Sequence, residues 1–486
     1  MTLDRRSFIK TGGAAVAGTM VLPPLLKSCQ NLQISPDVKS YLDHFEVTPE
    51  ILQKVIAEAM SKGGDYADLF FEHTISNSLG LEDGEVNSAN SNVDYGVGVR
   101  VLKGDQTGFA YTESTSLQDM LKVAKTAANI ANDPVTFNQG ELIEKTIPNY
   151  YKVSQKWENS SIEEKIPYVQ KLNDRLFELD EKVSKARVFQ RDESSYVMFY
   201  SSEGRLTCDY RPMATLGVVC VMEKDGVIEN DYSARSVRMG FEFMNDDVVE
   251  ELAQEAVKKT NFLFGGGKPK AGELPVVLGA GGSGILLHEA MGHPFEADFN
   301  RKGESIFSDK MGKSIAKDFI NIVEDGTMDY NRGAINVDDE GNDVKKVYLV
   351  KDGVLESYLH DRISAKHYGV DPTGNGRRQS FRHVPLPRMR ITYMENGPHT
   401  TEEIISSVDY GVYVDNFTNG QVKIGAGDFT FFVKSGMLIE NGKLTTPIKD
   451  INIIGNGPQA LADITMAAGD YQTATGTWTC GKGGQS

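Results

Sequence analysis

LPVVLGAGGSGILLHEAMGHPFEADFNRKG, residues 274–303, admits two opposed readings, and the choice between them decides the fold. Leu274 to Gly284 reads as a short apolar strand, then Gly279, Gly281 and Gly284 in a G-x-G-x-x-G pattern, then a helix. That is the local grammar of a dinucleotide site in a parallel α/β sheet. The fingerprint also needs a second parallel strand ending in an acidic residue about 20 positions on. Glu296 and Asp298 fall near that distance, but they follow Pro294 in a polar stretch with no strand before them. In a chain with 48 glycines the pattern alone is weak. The glycines are read instead as letting strand and helix pack closely, which places His288 at a cleft.

The second half of the stretch carries chemistry. His288, Glu289 and His293 lie together, and Cys480 stands near the far end of the chain in WTCGKGGQ. Two imidazoles, a thiol and a carboxylate are the parts of a zinc hydrolase site. Neutral imidazole and thiolate are good Zn²⁺ ligands, and three protein ligands leave a fourth position for water. A carboxylate beside the metal can then take a proton from that water. Helical zinc proteases place their histidines four apart, about 40° around the axis. Here the separation is five, about 140° on a continuing α-helix, which would point the rings apart. The spacing therefore predicts a helix that ends after Met291. Gly292 tolerates a left-handed or otherwise unusual backbone. Pro294 biases His293 towards an extended conformation, so the chain would swing His293 back over the first turn. Two ordinary histidines near a helix end are the alternative at this point.

Other polar clusters are weaker signals. Asn375, Arg377 and Arg378 sit in a Gly-rich turn and are candidate contacts for a peptide carboxylate; a solvated turn fits equally well. Asp361 and Arg362 beside His360 read as a structural ion pair, with Asp361 the reserve base. His367, His383 and His399 read as ordinary. Glu296 and Asp298 could accept hydrogen bonds from His293 or lie on the surface.

The 486 residues predict two or more domains. A net charge of −17 argues against nucleic-acid binding, which wants a basic footprint. Thr48 caps a helix with Ile51, Val55, Ile56 and Ala59 at helical spacing. Strands are expected at about 66–77 and 93–103, the second alternating Val93, Tyr95, Val97, Val99, Val101. A helix begins at Ser116, and Ser161 with Glu164 forms a capping box before another. Strands from 185 to 240 are punctuated by SSEG and KDG turns, and a helix follows at 246–262. GGGKPKAGE, residues 265–273, is the best boundary. It separates an N-terminal α/β domain with an antiparallel sheet (40–264) from a β-rich C-terminal domain (274–486) that carries the metal-motif helix. Hairpin signals stand at Asp352-Gly353 and Asn441-Gly442. The fold class is α+β. Cys208 and Cys220 either pair across a hairpin or stay as buried free thiols.

The run HEAMGHPFEADFNRKG, followed by VDDEG, PTGNGRR, PRM, YGVYV and finally CGKGGQS, resembles the TldD/PmbA family. It is similar to the TldD branch, which carries the metal motif, rather than the PmbA (TldE) branch. The resemblance runs from about residue 45 to the end and is most specific from Gly279 onward. It implies a zinc metallopeptidase that clips short or unfolded peptides. It implies a dimeric assembly, either a homodimer or a heterodimer with a PmbA/TldE-like subunit. It also implies His288, His293 and Cys480 as ligands of one Zn²⁺ per chain and Glu289 as the catalytic glutamate. Family chains continue past CGK-x-GQ with a further strand, whereas this one stops at Ser486; the expectation is a looser loop around Cys480. The alternative is a non-catalytic peptide-binding or scaffold protein with structural zinc. An oxidoreductase ranks third.

Residues 1–29 read as a targeting segment. Arg5-Arg6, then Phe8 and Lys10, then a Gly/Ala-rich apolar stretch form a twin-arginine signal. The apolar run is too short for a spanning helix, which needs about 20 residues. It stops in Leu26-Lys27-Ser28-Cys29, which resembles a lipobox with Cys29 as the acylated residue. The expected address is the periplasm or cell envelope, with membrane contact only through that lipid anchor. Plain signal cleavage and a soluble exported enzyme is the alternative.

Overall fold

The computed structural model describes residues 34–133, 137, 140–474 and 477–486. The export and lipidation expectations, with Arg5, Arg6 and Cys29, lie outside the described residues. Among the described residues no helix is long and apolar enough to cross a membrane.

Helices α1 (Pro36–His44) and α2 (Pro49–Met60) come first. Thr48 caps α2 by accepting a hydrogen bond from the Ile51 N–H at 3.4 Å. Pro49 sits in the first turn, where its missing N–H costs nothing. Leu52, Val55, Ile56 and Ala59 form one buried stripe. β1 (Tyr66–Glu82) and β2 (Glu85–Lys103) make a long antiparallel hairpin. The strand forms, but its burial does not alternate: residues 96–102 are buried on both faces, Val97, Val99 and Val101 among them, while Val93 is 57% exposed. Among the described residues the outer half of β2 has no strand beside it other than β1, because β3 (Gln106–Thr112) pairs with Val97–Lys103.

α3 (Leu117–Ala127), β4 (Ile143–Glu144) and α4 (Ile162–Leu179) follow. The capping box forms: Glu164 accepts from the Ser161 N–H at 2.7 Å. β5 (Val183–Ser201), β6 (Arg205–Lys224) and β7 (Val227–Val237) complete a seven-stranded sheet of order β3-β2-β1-β5-β6-β4, with β7 also on β6. α5 (Asp246–Leu263) and α4 pack Leu172, Leu176 and Leu252 onto Leu216 and Val218 of that sheet. Truncating any of these leucines to alanine would cost about 2–5 kcal/mol. Cys208 and Cys220 lie on the one strand β6. Twelve residues of strand hold them roughly 40 Å apart, so a bridge is excluded and both are free thiols.

The C-terminal half begins with β8 (Val276–Leu278), then α6 (Ile285–Leu287) and α7 (Ala297–Arg301) on either side of the histidines. β9 (Ile322–Asp325), β10 (Lys346–Lys351) and β11 (Val354–Leu355) precede α8 (Arg362–Tyr368) and the short pair β12 (Gly376–Arg377) and β13 (Leu386–Pro387). β14 (Thr392–Met394) joins β9, and α9 (Thr401–Ser406) leads into β15 (Tyr410–Val422), β16 (Asp428–Glu440), β17 (Lys443–Ile448), β18 (Ile451–Asn456) and α10 (Gly457–Ala462). Asp352-Gly353 and Asn441-Gly442 turn the two expected hairpins, with positive φ at both residues of each pair, as a type I′ turn requires. β8 pairs in parallel with β15, whose other neighbour β16 is antiparallel. No dinucleotide fold is built on this strand. The class is α+β with antiparallel sheets and a β-rich C-terminal region, as the sequence implies.

Buried charge ties the two halves together. Arg100 of β2 pairs with Asp68 and, at 2.6 Å, with Glu340. Arg211 of β6 pairs with Asp209 at 2.8 Å and Asp339 at 2.6 Å, and Arg378 reaches Asp68 at 3.3 Å. The VDDEG and GNGRR runs thus serve as an internal frame.

Candidate active site

The segment around the histidines is held by its apolar residues. Leu286, Ala290, Met291 and Phe295 are buried in the C-terminal core with Val412, Val414, Phe417 and Phe431. The opposite face presents the polar side chains. The expected break after Met291 does not occur. α6 widens into a π-helical turn over His288–Gly292, and His293–Phe295 continues as a 3₁₀ turn. His293 is right-handed helical, at φ −61° and ψ −44°, and its N–H donates to the His288 carbonyl. This i→i+5 bond closes a turn over five residues instead of four. Residues five apart therefore come to the same face, and the two rings meet edge to face with centroids 4.8 Å apart. Gly292 is also helical, at φ −60°. Its role is space: a Cβ there would lie 2.1 Å from Met389 Sδ. Gly279 similarly sits against the Tyr413 ring, which packs β8 closely on β15.

Cys480 arrives from the other end of the chain. Its Sγ lies 3.2 Å from His288 Nε2 and 3.3 Å from Glu289 Oε1. Glu289 Oε2 is 3.8 Å from His293 Nε2. The potential ligand atoms of these four residues all lie within 4.8 Å of one another, and they form the one such cluster among the described residues. Zn–S and Zn–N bonds of about 2.3 and 2.0 Å at a tetrahedral angle put S and N about 3.5 Å apart, so the donor set fits a zinc ion. Burial and the neighbouring His293 pull His288 down to about 3, which keeps it a neutral donor. Burial and the Glu289 carboxylate push the Cys480 thiol up to about 12; a cation in the cluster would reverse that balance.

The surroundings support the donors. Glu296, fully buried, accepts from His293 Nδ1 at 3.1 Å, leaving Nε2 to face the cluster. Burial alone would raise Glu296, but the His293 hydrogen bond and the Lys482 charge outweigh it and hold it below the usual range. The Cys480 loop is tethered at several points. Arg388 donates to the Cys480 carbonyl at 2.8 Å and Arg332 to that of Trp478 at 3.0 Å. Gln485 is buried and bonds Gln379 and Val384. Arg388 and Met389 of the PRM run and Lys482 of the CGK run also border the site, and nothing local in the sequence marks them.

The other candidates do not join the cluster. Asn375 is buried and donates to Glu324 Oε1 and the Arg388 carbonyl. Arg378 is buried over the Phe70 ring and donates to the Asp339 carbonyl. Arg377 is half-buried. Asp361 is no ion-pair partner of Arg362: it caps α8 through the Ser364 N–H at 2.8 Å. Arg362 pairs with Glu203 and lies 3.6 Å over the Tyr66 ring. Backbone capping won over the charge pairing that adjacency in sequence suggested.

Comparison with known proteins agrees with this arrangement. Three models of the PmbA/TldA metallopeptidases match: domain 1 over residues 67–131, the central domain over 155–261 and the C-terminal domain over 271–482. The chain is 35% identical over 455 residues to the metalloprotease TldD homolog of Buchnera aphidicola, covering 92% of this chain and 94% of that one. It is 29% identical over 438 residues to the zinc metalloprotease TldD homolog of Saccharolobus solfataricus, covering 89% and 95%. A Thermotoga maritima crystal structure superposes with a TM-score of 0.74 at 21% identity, over 88% of this chain and 96% of that one; it shares the fold. With the family matched across both halves and the donor cluster assembled, the chain belongs to the PmbA/TldA metallopeptidase family.

Proposed function

We propose that this metallopeptidase is a zinc enzyme that cleaves short or unfolded peptides, with His288, His293 and Cys480 as the ligands of one zinc ion. The observation that carries the reading is the meeting of Cys480 Sγ and His288 Nε2 at 3.2 Å, 192 residues apart in sequence. A thiolate with two imidazoles selects zinc over the hard, oxygen-seeking cations. When bound, zinc supplies Lewis-acid polarisation of the scissile carbonyl and lowers the pKa of water. Glu289 takes a proton from the attacking water and delivers it to the leaving amine. Glu296 keeps the His293 ring in the tautomer that leaves Nε2 free. β8 pairs with β15 alone among the described residues and runs straight into the motif. Its free edge would hold an extended peptide through main-chain hydrogen bonds, which a folded domain cannot offer. Arg377 is the member of the Gly-rich turn that is not fully buried, and it would meet a substrate carboxylate.

A second reading makes Glu289 a fourth ligand, which would close the site into a structural one in a peptide-binding scaffold. Its oxygens lie 3.8 and 4.0 Å from the two histidine nitrogens, further than the thiol–imidazole contact. The test is metal content and cleavage together. Purified protein should hold about one zinc per chain, and Cys480→Ser and His293→Ala should lose it. A free peptide should be cut and the same sequence inside a stable domain should not. Full zinc retention in both variants refutes the ligand set, and equal cleavage of both substrates refutes the strand-edge model. A dimer, with a second copy or a TldE-like subunit, belongs to the same proposal and is read by light scattering. Twin-arginine export and acylation at Cys29 complete it.

A further inference from the structure

Lys482 stands two residues beyond Cys480, and its side chain is only 8% exposed. Its ammonium lies 2.8 Å from Glu296 Oε2 and 2.5 Å from Asp298 Oδ1. It donates to the Pro387 carbonyl at 3.2 Å and sits 4.2 Å from the centre of the Phe299 ring. Glu296 is fully buried, and its other oxygen accepts from His293 Nδ1. A buried carboxylate without a cation is strongly destabilising. Arg388 is the other cation near Glu296, at 3.7 Å, and its guanidinium is bonded to the Cys480 carbonyl. One loop therefore delivers both a thiol to the cluster and the charge that keeps the His293 support in place.

We propose that Lys482 is a positioning residue that couples docking of the Cys480 loop to orientation of His293, so that the two donors are set in one event. The proposal rests on the metal reading above. With the loop docked, Lys482 compensates Glu296, and Glu296 holds the His293 ring. With the loop away, Glu296 loses its nearest cation, and the His293 ring loses its fixed orientation. The coupling belongs to the protein itself and is present before a metal arrives.

The experiment is a double-mutant cycle with two readouts on the full chain. Zinc affinity is measured by chelator competition for the wild type, Lys482→Met, Glu296→Gln and the double variant, with circular dichroism confirming that each is folded. Each single change should weaken zinc binding by roughly 10–100-fold, the usual effect of removing an outer support of a ligand. The double variant should be no weaker than the weaker single, because the two residues act as a unit. Hydrogen exchange on metal-free protein is the second readout. In Lys482→Met, exchange should rise together in residues 478–486 and 293–297. Losses that multiply in the double variant, or exchange that rises in one segment only, would overturn the proposal. If the wild type itself took up no zinc, the metal reading would fall and the exchange result would still decide the coupling.

Discussion

The backbone N–H of His293 donates to the carbonyl of His288, five residues back. That one bond replaces the four-residue turn of an ordinary helix with a wider one. It brings both imidazoles to one face without ending the helix. Behind the wider turn Met389 fills the space beside Gly292.

Gly292→Ala should disturb the site without touching a polar atom. Its Cβ would overlap Met389 Sδ, and overpacking of this kind costs about 1–3 kcal/mol. We expect a lower unfolding temperature and weaker zinc binding, with recovery of much of both in Gly292→Ala/Met389→Ala. Thermal unfolding and chelator titration of the two variants check this; no recovery would mean the glycine serves some other need.

Glu289→Gln keeps the side-chain shape and removes the base. Peptide cleavage should fall by roughly 10²–10⁴-fold while zinc stays bound. Steady-state kinetics with metal analysis separates the outcomes. Loss of zinc would instead favour Glu289 as a ligand, and unchanged turnover would place the base elsewhere.

Arg100→Met should destabilise the junction between the two halves. It leaves Asp68 and Glu340 buried with a partner removed. Breaking a buried pair by removing one side costs about 3–5 kcal/mol. Urea unfolding measures it, and a loss below 1 kcal/mol would show that Arg378 and its neighbours compensate.

Glu324, fully buried on β9, is raised to about 7, by burial above all. The folded state then binds a proton that the unfolded state releases near the ordinary carboxylate value. Its contribution to stability must fall as pH rises from about 4.5 to about 7 and level off above. Glu324→Gln removes the titration, so the stability of the wild type relative to the variant should decline across that window. Unfolding temperatures of both proteins between pH 4 and 8 provide the comparison.

Arg5→Lys with Arg6→Lys is expected to leave the protein unprocessed in the cytoplasm. Cys29→Ala should move it from a membrane-attached to a soluble fraction. One acyl chain binds membranes only marginally, so more than one is expected at Cys29. A mature N-terminus elsewhere, read by mass spectrometry, would remove the lipid anchor and leave export intact.

The sequence by itself determined the main elements and marked out the residues that meet in the candidate site. Caps at Thr48 and Ser161, the valine-rich strand through Val97, Val99 and Val101, and the Asp-Gly and Asn-Gly turns follow local rules, and local rules are legible in a chain. His288, Glu289 and His293 were legible as a group because they are close in sequence and chemically unusual together. Cys480 was legible as a matching thiol in WTCGKGGQ, and only the fold brings its Sγ to 3.2 Å from His288, 192 residues away in sequence. The tertiary structure decided what depends on partners far along the chain. The helix widened at His288 because its apolar face is locked in the core and Met389 backs Gly292, and no local propensity reports that. Asn375 and Arg378 turned inward because Glu324, Asp339 and Asp68 wait there as acceptors. Lys482 became part of the site because Glu296, 186 residues away in sequence, is buried and needs a cation. A buried charge is placed by its partner, and the partner is known only once the chain has folded.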